Sequence, residues 1–226
     1  LKQSSCAALE EFQPDILMCG VDWTDEFNHL RPICKGLDIT TVSLQEGPQY
    51  WHMTRSNQYA NKFRNSDILL AQGVVTLRNI HPKNFTITGN PKVDKITEHP
   101  LPAKPKLFIN CNFTYNQWEE HRKQWMQDIL ELCKELNLDY LISKHPRDFS
   151  KWNDPNLVES NAFSVSAQIQ QCSIVISRLS SLPYEALCHG RTSIYYNPHG
   201  EPIPTFCEDK TPGLLKAFNK EELRQL

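Results

Sequence analysis

Residues 173–190 read SIVISRLSSLPYEALCHG, and this stretch decides the fold class. Its opening run is rich in β-branched residues and predicts a strand over residues 173–177, whereas residues 182–189 predict a helix. Gly190 suits the left-handed position that often closes a helix. A second β-branched run, Thr192-Ser-Ile-Tyr-Tyr196, follows directly. A strand, a helix and another strand in this order predict a parallel α/β sheet.

The same alternation extends along the rest of the chain. Strands are predicted at residues 15–20, 40–44, 67–71, 85–88, 107–110, 140–143, 157–159, 173–177 and 192–196, and the last of these is expected to be the final strand. Helices are predicted at 6–12, within 22–36, and at 57–64, 74–79, 117–136, 165–171, 182–189 and 219–226. We therefore expect the α/β class with parallel sheets.

A proline-rich segment interrupts this alternation. Three prolines between His99 and Pro105 disfavour both helix and inner strand, so we predict a linker at 99–106. It would join an N-terminal Rossmann-like unit, 1–98, to a C-terminal Rossmann-like unit, 107–226. The first unit begins with a helix and has about four predicted strands, so we expect it to be reduced or truncated. Ligands of such sheets bind beyond the carboxyl ends of the strands, and we expect the two units to face a cleft.

Composition and charge exclude several classes of protein. Of the 226 residues, 39% are hydrophobic and 22% are charged, which suffices for a packed core. No apolar run approaches the roughly 18 residues of a membrane span. The net charge of −2 gives no field for non-specific nucleic-acid binding, so no nucleic-acid partner is expected. The eight cysteines contain no C-x-x-C pair and are interpreted as reduced thiols of a cytoplasmic protein.

A carboxylate follows the predicted strand at 40–44, in Gln45-Glu46-Gly47. At a strand end Glu46 has the position and chemistry of a general base that accepts a proton from an attacking hydroxyl. A solvated glutamate in a turn before Gly47 and Pro48 explains the same pattern equally well. Both interpretations stay open on position alone.

Polar residues also follow two strands of the second unit. Ser143-Lys144-His145-Pro146 begins at the last residue of the strand predicted at 140–143, and the proline restricts His145 to extended backbone. His145 is suited to donate to a phosphate or to protonate a leaving group, and Lys144 adds positive charge. Asn110-Cys111-Asn112 follows the strand at 107–110, where amide groups suit contacts with a phosphate or a base. A surface histidine and a plain loop are the alternative interpretations.

The third cluster lies between the strand at 173–177 and its helix. Ser180 or Ser181 is placed to cap the helix, and the same hydroxyls favour an anion site. Glu185 lies one turn further on, within reach of a ribose hydroxyl. Ordinary serine capping is common, so this cluster alone is weak support for a binding site.

Known metal and phosphate motifs are absent from the sequence. It contains no H-E-x-x-H, P-loop, G-x-G-x-x-G or G-x-S-x-G pattern. Two pairs of carboxylates, Asp22 with Asp25 and Glu119 with Glu120, have nothing that ties them to a metal. We expect no metal site.

Taken in order, these motifs resemble the GT-B glycosyltransferases, which are built from two Rossmann-like units. The resemblance rests on Gln45-Glu46-Gly47, on Thr88-Gly-Asn-Pro-Lys-Val-Asp94 before the linker, on His145-Pro146, and on residues 177–186 at a strand-to-helix turn. More narrowly, the chain is similar to bacterial enzymes with QE and HP motifs that transfer Kdo from CMP-Kdo in capsule and lipopolysaccharide synthesis. It is also similar to sialyltransferases that use CMP-sialic acid.

The resemblance implies roles for individual residues. Glu46 would be the general base that activates the acceptor hydroxyl, and His145 would contact the nucleotide phosphate and stabilise the departing CMP. The nucleotide-binding residues implied are Asn112, Lys144, Ser180, Ser181 and Glu185, with the serines on the phosphate and Glu185 on the ribose. The family uses a nucleotide-sugar donor and a glycan or glycolipid acceptor, without a metal or a further cofactor. Peripheral association with the inner membrane face, and a partner domain that completes the first unit, are further expectations.

Three alternatives stay open. The second half also resembles the CDP-glycerol glycerophosphotransferases of teichoic acid synthesis. The first half resembles the non-hydrolysing UDP-GlcNAc 2-epimerases, which share the fold and the T-G-N turn. A hypothesis of another class is a non-catalytic module that binds a nucleotide or a glycan.

Overall fold

The computed structural model of the chain describes residues 2–45, 47, 63–74, 77, 80, 82–114, 118–159, 161, 164–201 and 213–226. Its contacts separate the chain into two units, which meet in sequence between Pro91 and Lys92. The linker limits of 99–106 stay a prediction.

Unit 1 holds a four-stranded parallel sheet in the order β1-β2-β3-β4. Its strands are β1 (Ile16–Cys19), β2 (Thr40–Leu44), β3 (Ile68–Ala71) and β4 (Phe85–Ile87). Two helices, α1 (Lys2–Phe12) and α2 (Asp25–Gly36), precede β1 and β2. Thr24 caps α2 by accepting a hydrogen bond from the backbone N–H of Phe27 at 3.3 Å.

A buried carboxylate fixes the segment that leads into β3. Asp22 has no exposed surface and accepts hydrogen bonds from the backbone N–H groups of Phe63 at 2.5 Å, Asn65 at 2.9 Å and Ser66 at 3.0 Å. The Ser66 hydroxyl adds a fourth at 3.2 Å. Phe63 has a φ of +57°, a left-handed conformation that a bulky residue rarely adopts. The carboxylate therefore holds a strained turn in place.

Unit 2 holds a six-stranded parallel sheet in the order β10-β9-β8-β5-β6-β7. Its strands are β5 (Lys106–Cys111), β6 (Asp139–Lys144), β7 (Leu157–Val158), β8 (Ile174–Ser177), β9 (Thr192–Tyr196) and β10 (Leu214–Ala217). The helices of this unit are α3 (Arg122–Glu135), α4 (Val165–Gln170), α5 (Leu182–Cys188) and α6 (Lys220–Gln225).

Helices cover both faces of the unit 2 sheet. Leu107 and Ile109 of β5 pack with Trp125 and Ile129 of α3 on one face. On the other face, Phe108 packs with residues that include Val165 and Ile169 of α4 and Ala186 of α5. Because side chains alternate along a strand, a central strand buried on both faces is apolar throughout, as β5 nearly is.

The predicted α/β class with parallel sheets is confirmed, and the predicted strands occur within a few residues of their expected limits. Gly190 has a φ of +69° and closes α5 as expected. The prediction that 192–196 forms the last strand was wrong, because β10 follows it and pairs with β9. The long helix predicted from 117 begins later, since a 3-10 turn at Glu119–His121 precedes α3. The helix at 57–64 falls mostly, and that at 74–79 partly, outside the described residues.

The described helices include none with the length and apolar character that crossing a bilayer requires.

Asp22→Asn should destabilise the protein measurably, because the neutral amide removes acceptors from buried N–H groups. A buried donor left without a partner costs about 1–3 kcal/mol, so we expect the free energy of unfolding to fall by about 2 kcal/mol in urea titrations. The exposed Asp25→Asn serves as the control and should change stability by less than about 1 kcal/mol. Equal stability of both variants would contradict the anchoring role of Asp22.

Candidate functional site

The strand order of unit 2 defines where a ligand would bind. The chain runs from β5 outward to β6 and β7, returns to the opposite side of β5 as β8, and continues outward to β9 and β10. The connections therefore leave in opposite directions beyond the carboxyl ends of β5 and β8. In doubly wound sheets this switch point opens the crevice in which ligands bind. Asn112 follows β5 and Ser180 follows β8, so two of the predicted residues flank the switch point.

Hydrogen bonds join the two loops at this point. Asn110 Nδ2 donates to Ser177 Oγ at 2.8 Å, and both side chains are buried. Asn112 Nδ2 donates to the carbonyl oxygen of Leu179. In return, Arg178 Nη1 donates to the carbonyl oxygen of Asn112 at 2.7 Å. The loops after β5 and β8 are thus fixed to one another, and Asn112 lies between them.

Arg178 is almost fully buried, and its charge is balanced by Glu201. Arg178 Nη2 donates to Glu201 Oε1, and the two side chains are only 3% and 1% exposed. The guanidinium also lies 4.6 Å from the centre of the Phe113 ring. A buried charge is tolerated when it is paired in this way. Sequence reasoning did not single out Arg178 or Glu201, which are separated by 22 intervening residues.

A second buried arginine fixes the loop that carries the HP motif. Arg122, at the start of α3, donates from Nη1 to Asp148 Oδ2 at 2.6 Å and from Nη2 to Asp148 Oδ1 at 3.0 Å. Nη2 also donates to the carbonyl oxygen of Phe113 at 2.9 Å. Glu119, which is 43% exposed, adds a further acceptor for Arg122. Arg122 thus ties the loop after β5 to the loop after β6.

His145 lies at the start of the loop after β6. Its carbonyl oxygen accepts from the backbone N–H of Asp148 at 2.8 Å, and its Nδ1 accepts from the N–H of Arg147 at 3.1 Å. Lys144 Nζ donates to the carbonyl oxygen of Ser150 at 2.5 Å and closes the same loop. Acceptance by Nδ1 places the proton of the neutral imidazole on Nε2.

Burial, together with the nearby charge of Arg147, lowers the pKa of His145 below its ordinary value, although Asp148 acts in the opposite direction. Because the ordinary pKa is about 6.5, the ring is mostly neutral at pH 7. His145 is therefore suited to donate one hydrogen bond through Nε2–H to a phosphate oxygen.

The third cluster shows how two distant motifs meet. Glu185 is 7% exposed, and its Oε1 accepts from Lys92 Nζ at 2.7 Å and from Ser181 Oγ at 3.5 Å. Ser180 Oγ accepts from the backbone N–H of Leu182, the first residue of α5, at 3.2 Å, whereas Ser181 at the N-cap makes no side-chain capping bond. Lys92 belongs to the T-G-N-P-x-x-D motif, which sequence reasoning treated as a turn. Both hydrogen bonds that the structure describes to Glu185 use Oε1.

In unit 1, the predicted base Glu46 lies outside the described residues, and its role stays a prediction. The residue before it is well fixed. Gln45 is buried at the end of β2, its Oε1 accepts from the backbone N–H of Gln72 at 2.8 Å, and its Nε2 donates to the carbonyl oxygen of Gly47 at 2.7 Å. Gln45 thus links the carboxyl ends of β2 and β3.

Metal ligands do not cluster in the part of the chain that the structure describes, where no group of three or more His, Cys, Asp or Glu side chains could hold an ion. The metal-independent chemistry expected from the resemblance stays a prediction. Burial raises the pKa of the Cys111 thiol to about 12 despite the adjacent Arg122, which disfavours the reactive thiolate form.

Comparison with known proteins identifies the fold. No family model matches the chain. No curated protein matches it either. A solved UDP-GlcNAc 2-epimerase from Neisseria meningitidis bound to UDP-GlcNAc is similar with a TM-score of 0.68 and 17% identity, over 99% of this chain and 70% of that chain. The glycotransferase of kitacinnamycin is similar with a TM-score of 0.55 and 12% identity, over 99% of this chain and 69% of that chain.

The wall teichoic acid polymerase TagF is also similar, with a TM-score of 0.52 and 15% identity over 83% of this chain and 59% of that chain. All three identities are low, so these likenesses show the fold alone. The predicted GT-B type of two parallel Rossmann-like units is confirmed at that level. Both the epimerase and the transferase resemblances thus correspond to solved proteins of this fold.

Asp148→Asn should destabilise the protein by about 3 kcal/mol at pH 7, because it leaves Arg122 buried with half of its charge compensation removed. Burial alone would raise the pKa of Asp148, but the hydrogen bonds from Arg122 and Ser150 outweigh it and lower the pKa. The contribution of Asp148 is therefore full above the unfolded value of about 3.9 and is lost as the pH falls towards the lower folded value. In urea titrations, the difference in the free energy of unfolding between the wild type and Asp148→Asn should be constant from pH 5 to 8 and should become smaller below about pH 4.

The matched control is Glu119→Gln, which removes the half-exposed partner of the same arginine and should cost less than about 1 kcal/mol. A loss as large as that of Asp148→Asn, or an Asp148→Asn effect that does not depend on pH, would contradict this assignment.

Proposed function

We propose that this chain is a glycosyltransferase that moves a sugar from a nucleotide-activated donor to an acceptor hydroxyl. The donor nucleotide is CMP, the sugar is Kdo or a sialic-acid-like acid, and the acceptor is a glycan or glycolipid. The class of reaction is supported by the fold, and the choice of CMP rests on the order of the QE, HP and S-x-x-S-S-x-x-x-E motifs. The enzyme needs the donor and no metal.

The observation that carries the proposal is the switch point of the unit 2 sheet. Three loops with polar side chains follow β5, β6 and β8 there, and buried hydrogen bonds fix them to one another through Asn112, Arg178 and Arg122. Polar loops held rigidly at the carboxyl ends of parallel strands suit a nucleotide, whose phosphates need several hydrogen bonds at once.

The residues divide the work of transfer between them. His145 donates through Nε2–H to the phosphate of the nucleotide and stabilises the charge that develops as the sugar leaves. Ser180, Ser181 and Lys144 contact the same phosphate, Asn112 contacts the nucleotide, and Glu185 binds the ribose through Oε2. Glu46 accepts the proton of the acceptor hydroxyl as its oxygen attacks the anomeric carbon. The bond between the sugar and the phosphate breaks, and the nucleotide leaves with the bonding electron pair.

A thermal-shift screen of CMP, CDP, UMP and UDP tests the nucleotide directly. Binding to the native state alone raises the melting temperature by mass action, with about 2.7 kcal/mol of stabilisation at a ligand concentration 100-fold above Kd. We expect CMP to give the largest shift. A shift for UDP alone would refute the CMP donor, and no shift for any of the four would refute nucleotide-dependent transfer.

Substitution of the two proposed catalytic residues should separate their roles. Glu46→Gln should lower transfer by about 100-fold or more while CMP binding stays within about twofold, because a general base acts only on the acceptor. His145→Asn should lower transfer by a similar factor and also weaken CMP binding, because it removes a donor to the phosphate. Transfer is measured with a radiolabelled donor and CMP binding by calorimetry.

The matched controls are Glu10→Gln and His29→Asn, two exposed residues of unit 1. Both should keep full activity. Retention of activity by Glu46→Gln and His145→Asn as well would exclude this assignment of the machinery.

A second candidate is a UDP-GlcNAc 2-epimerase-like enzyme, favoured by the higher TM-score of 0.68 against the epimerase than of 0.55 against the glycosyltransferase. Conversion of UDP-GlcNAc to its C2 epimer without any acceptor would establish it. The similarity to TagF supports a third arm of the same assay, in which release of CMP from CDP-glycerol in the presence of a polyol acceptor would indicate glycerophosphate transfer.

A further inference from the structure

The loop after β9 carries a buried imidazole that the proposed roles do not use. His199 has a side chain that is only 4% exposed, yet neither Nδ1 nor Nε2 has a hydrogen-bond partner in the described part of the chain. Buried polar atoms are nearly always satisfied, and each exception needs a physical reason. This imidazole follows the strand next to β8, so it belongs to the same edge of the unit 2 sheet as the switch point.

A chain of contacts connects His199 to the switch point. His199 Nε2 lies 3.7 Å from Glu201 Oε2, Glu201 Oε1 accepts from Arg178, and Arg178 donates to the carbonyl oxygen of Asn112 at 2.7 Å. Other atoms of these residues also have no partner among the described residues: Glu201 Oε2, Arg178 Nε and Asn112 Oδ1. The four residues of this chain of contacts thus hold five buried polar atoms with no hydrogen-bond partner in the described part of the protein.

The loop that presents His199 is preorganised. Asn197 Nδ2 donates to the carbonyl oxygen of Glu201 at 3.0 Å, and Asn197 Oδ1 accepts from the backbone N–H of Glu201 at 2.8 Å. The His199 ring stacks on His121 with centroids 4.7 Å apart and planes 8° apart, and Trp118 lies 5.3 Å away. Packing therefore fixes the ring plane without using either nitrogen. A histidine retained only for packing would be replaceable by phenylalanine here.

The adjacent carboxylate determines which tautomer of a neutral His199 is favoured. Glu201 Oε2 accepts only, so the proton of the imidazole is stabilised on Nε2, which faces it. Nδ1 is then an acceptor, and the group that satisfies it must be a donor. A phosphate oxygen has no proton to give at neutral pH, whereas a sugar hydroxyl has one.

The geometry points to His199 as a specificity-determining residue that accepts a hydrogen bond from a hydroxyl of the donor sugar, an inference that rests on the proposed function. Glu201 orients the imidazole, and Arg178 holds Glu201 against the loops after β5 and β8. His199 thus reads the sugar, whereas the loops after β6 and β8 hold the nucleotide.

The experiment compares a nucleotide with its sugar-linked form by calorimetry, using CMP and CMP-sialic acid or UDP and UDP-GlcNAc, according to the pair that the nucleotide screen selects. His199→Phe keeps an aromatic ring in the stack and removes both nitrogens. We expect it to lower the affinity for the nucleotide sugar by about tenfold. This is the equivalent of about 1.4 kcal/mol and lies within the range of one hydrogen bond. Binding of the nucleotide alone should stay within about twofold.

His121→Phe is the matched control, because it makes the same change in the other ring of the stack, whose side chain is 39% exposed. It should leave both affinities unchanged. His199→Gln, which keeps an amide acceptor, is the second variant if His199→Phe does not fold. It should lower the affinity for the nucleotide sugar by less than about tenfold, and the affinity for the nucleotide without its sugar should not change.

An equal loss of affinity for both ligands in His199→Phe would show that His199 has a structural role. No loss of affinity would show that His199 does not contact the sugar. Either result overturns the inference while the proposed function stands. A wild-type chain that binds neither ligand overturns both.

Discussion

The carboxyl end of β5 is held between two buried arginines, and the arrangement of the candidate site depends on them. Arg122 and Arg178 lie 5.0 Å and 4.6 Å from the centre of the Phe113 ring, and each donates to a main-chain carbonyl of residues 112–113. An arginine guanidinium is charged in proteins. Each must therefore keep a carboxylate beside it, Asp148 for Arg122 and Glu201 for Arg178. This requirement for charge compensation fixes three loops relative to the central strand.

The contribution of these two buried ion pairs to stability does not by itself explain their presence. Replacing a buried ion pair by well-packed apolar side chains is often neutral or stabilising, whereas removing one partner is strongly destabilising. An apolar version of this sheet end would still fold around Phe113 and Trp125. It would not set His145, Asn112 and the loop after β9 at defined positions, because apolar contacts have no direction. Directional hydrogen bonds at a strand end are what a site with several polar contacts requires.

The sequence predicts the sheets well and the candidate site only in part. The strands depend on signals that are local in the sequence, whereas the site depends on contacts between residues far apart in it. Strands such as Thr192–Tyr196 are visible because β-branched runs and turn residues are local signals. β10 was missed because Leu214-Leu-Lys-Ala217 is short and does not alternate, so its strand character comes from pairing with β9. His145 could be nominated because it comes directly after a predicted strand, and Ser180 and Glu185 because they lie at the start of the helix that follows another.

Nothing in the sequence pointed to the partners of Arg122, Arg178 and Lys92, which are Asp148, Glu201 and Glu185. Each finds its partner across 22 to 92 intervening residues, and no spacing rule connects residues so far apart. Lone arginines beside apolar runs are the one feature that could have drawn attention to them, since burial of a cation demands a carboxylate from elsewhere in the chain.

The buried polar atoms at this edge of the sheet divide into those that have a hydrogen-bond partner and those that have none among the described residues. Some buried polar atoms already have a partner, as do both carboxylate oxygens of Asp148 and Glu185 Oε1. Their hydrogen bonds hold a loop or a helix in place. Where an atom has no partner among the described residues, as in Asn112 Oδ1 and both nitrogens of His199, the hydrogen-bonding capacity of that atom is intact. Because an unsatisfied buried group destabilises the fold by about 1–3 kcal/mol, several of them gathered at one switch point oppose folding and favour binding. A ligand that satisfied them would recover that free energy, which is a source of affinity that a fully paired loop cluster would lack.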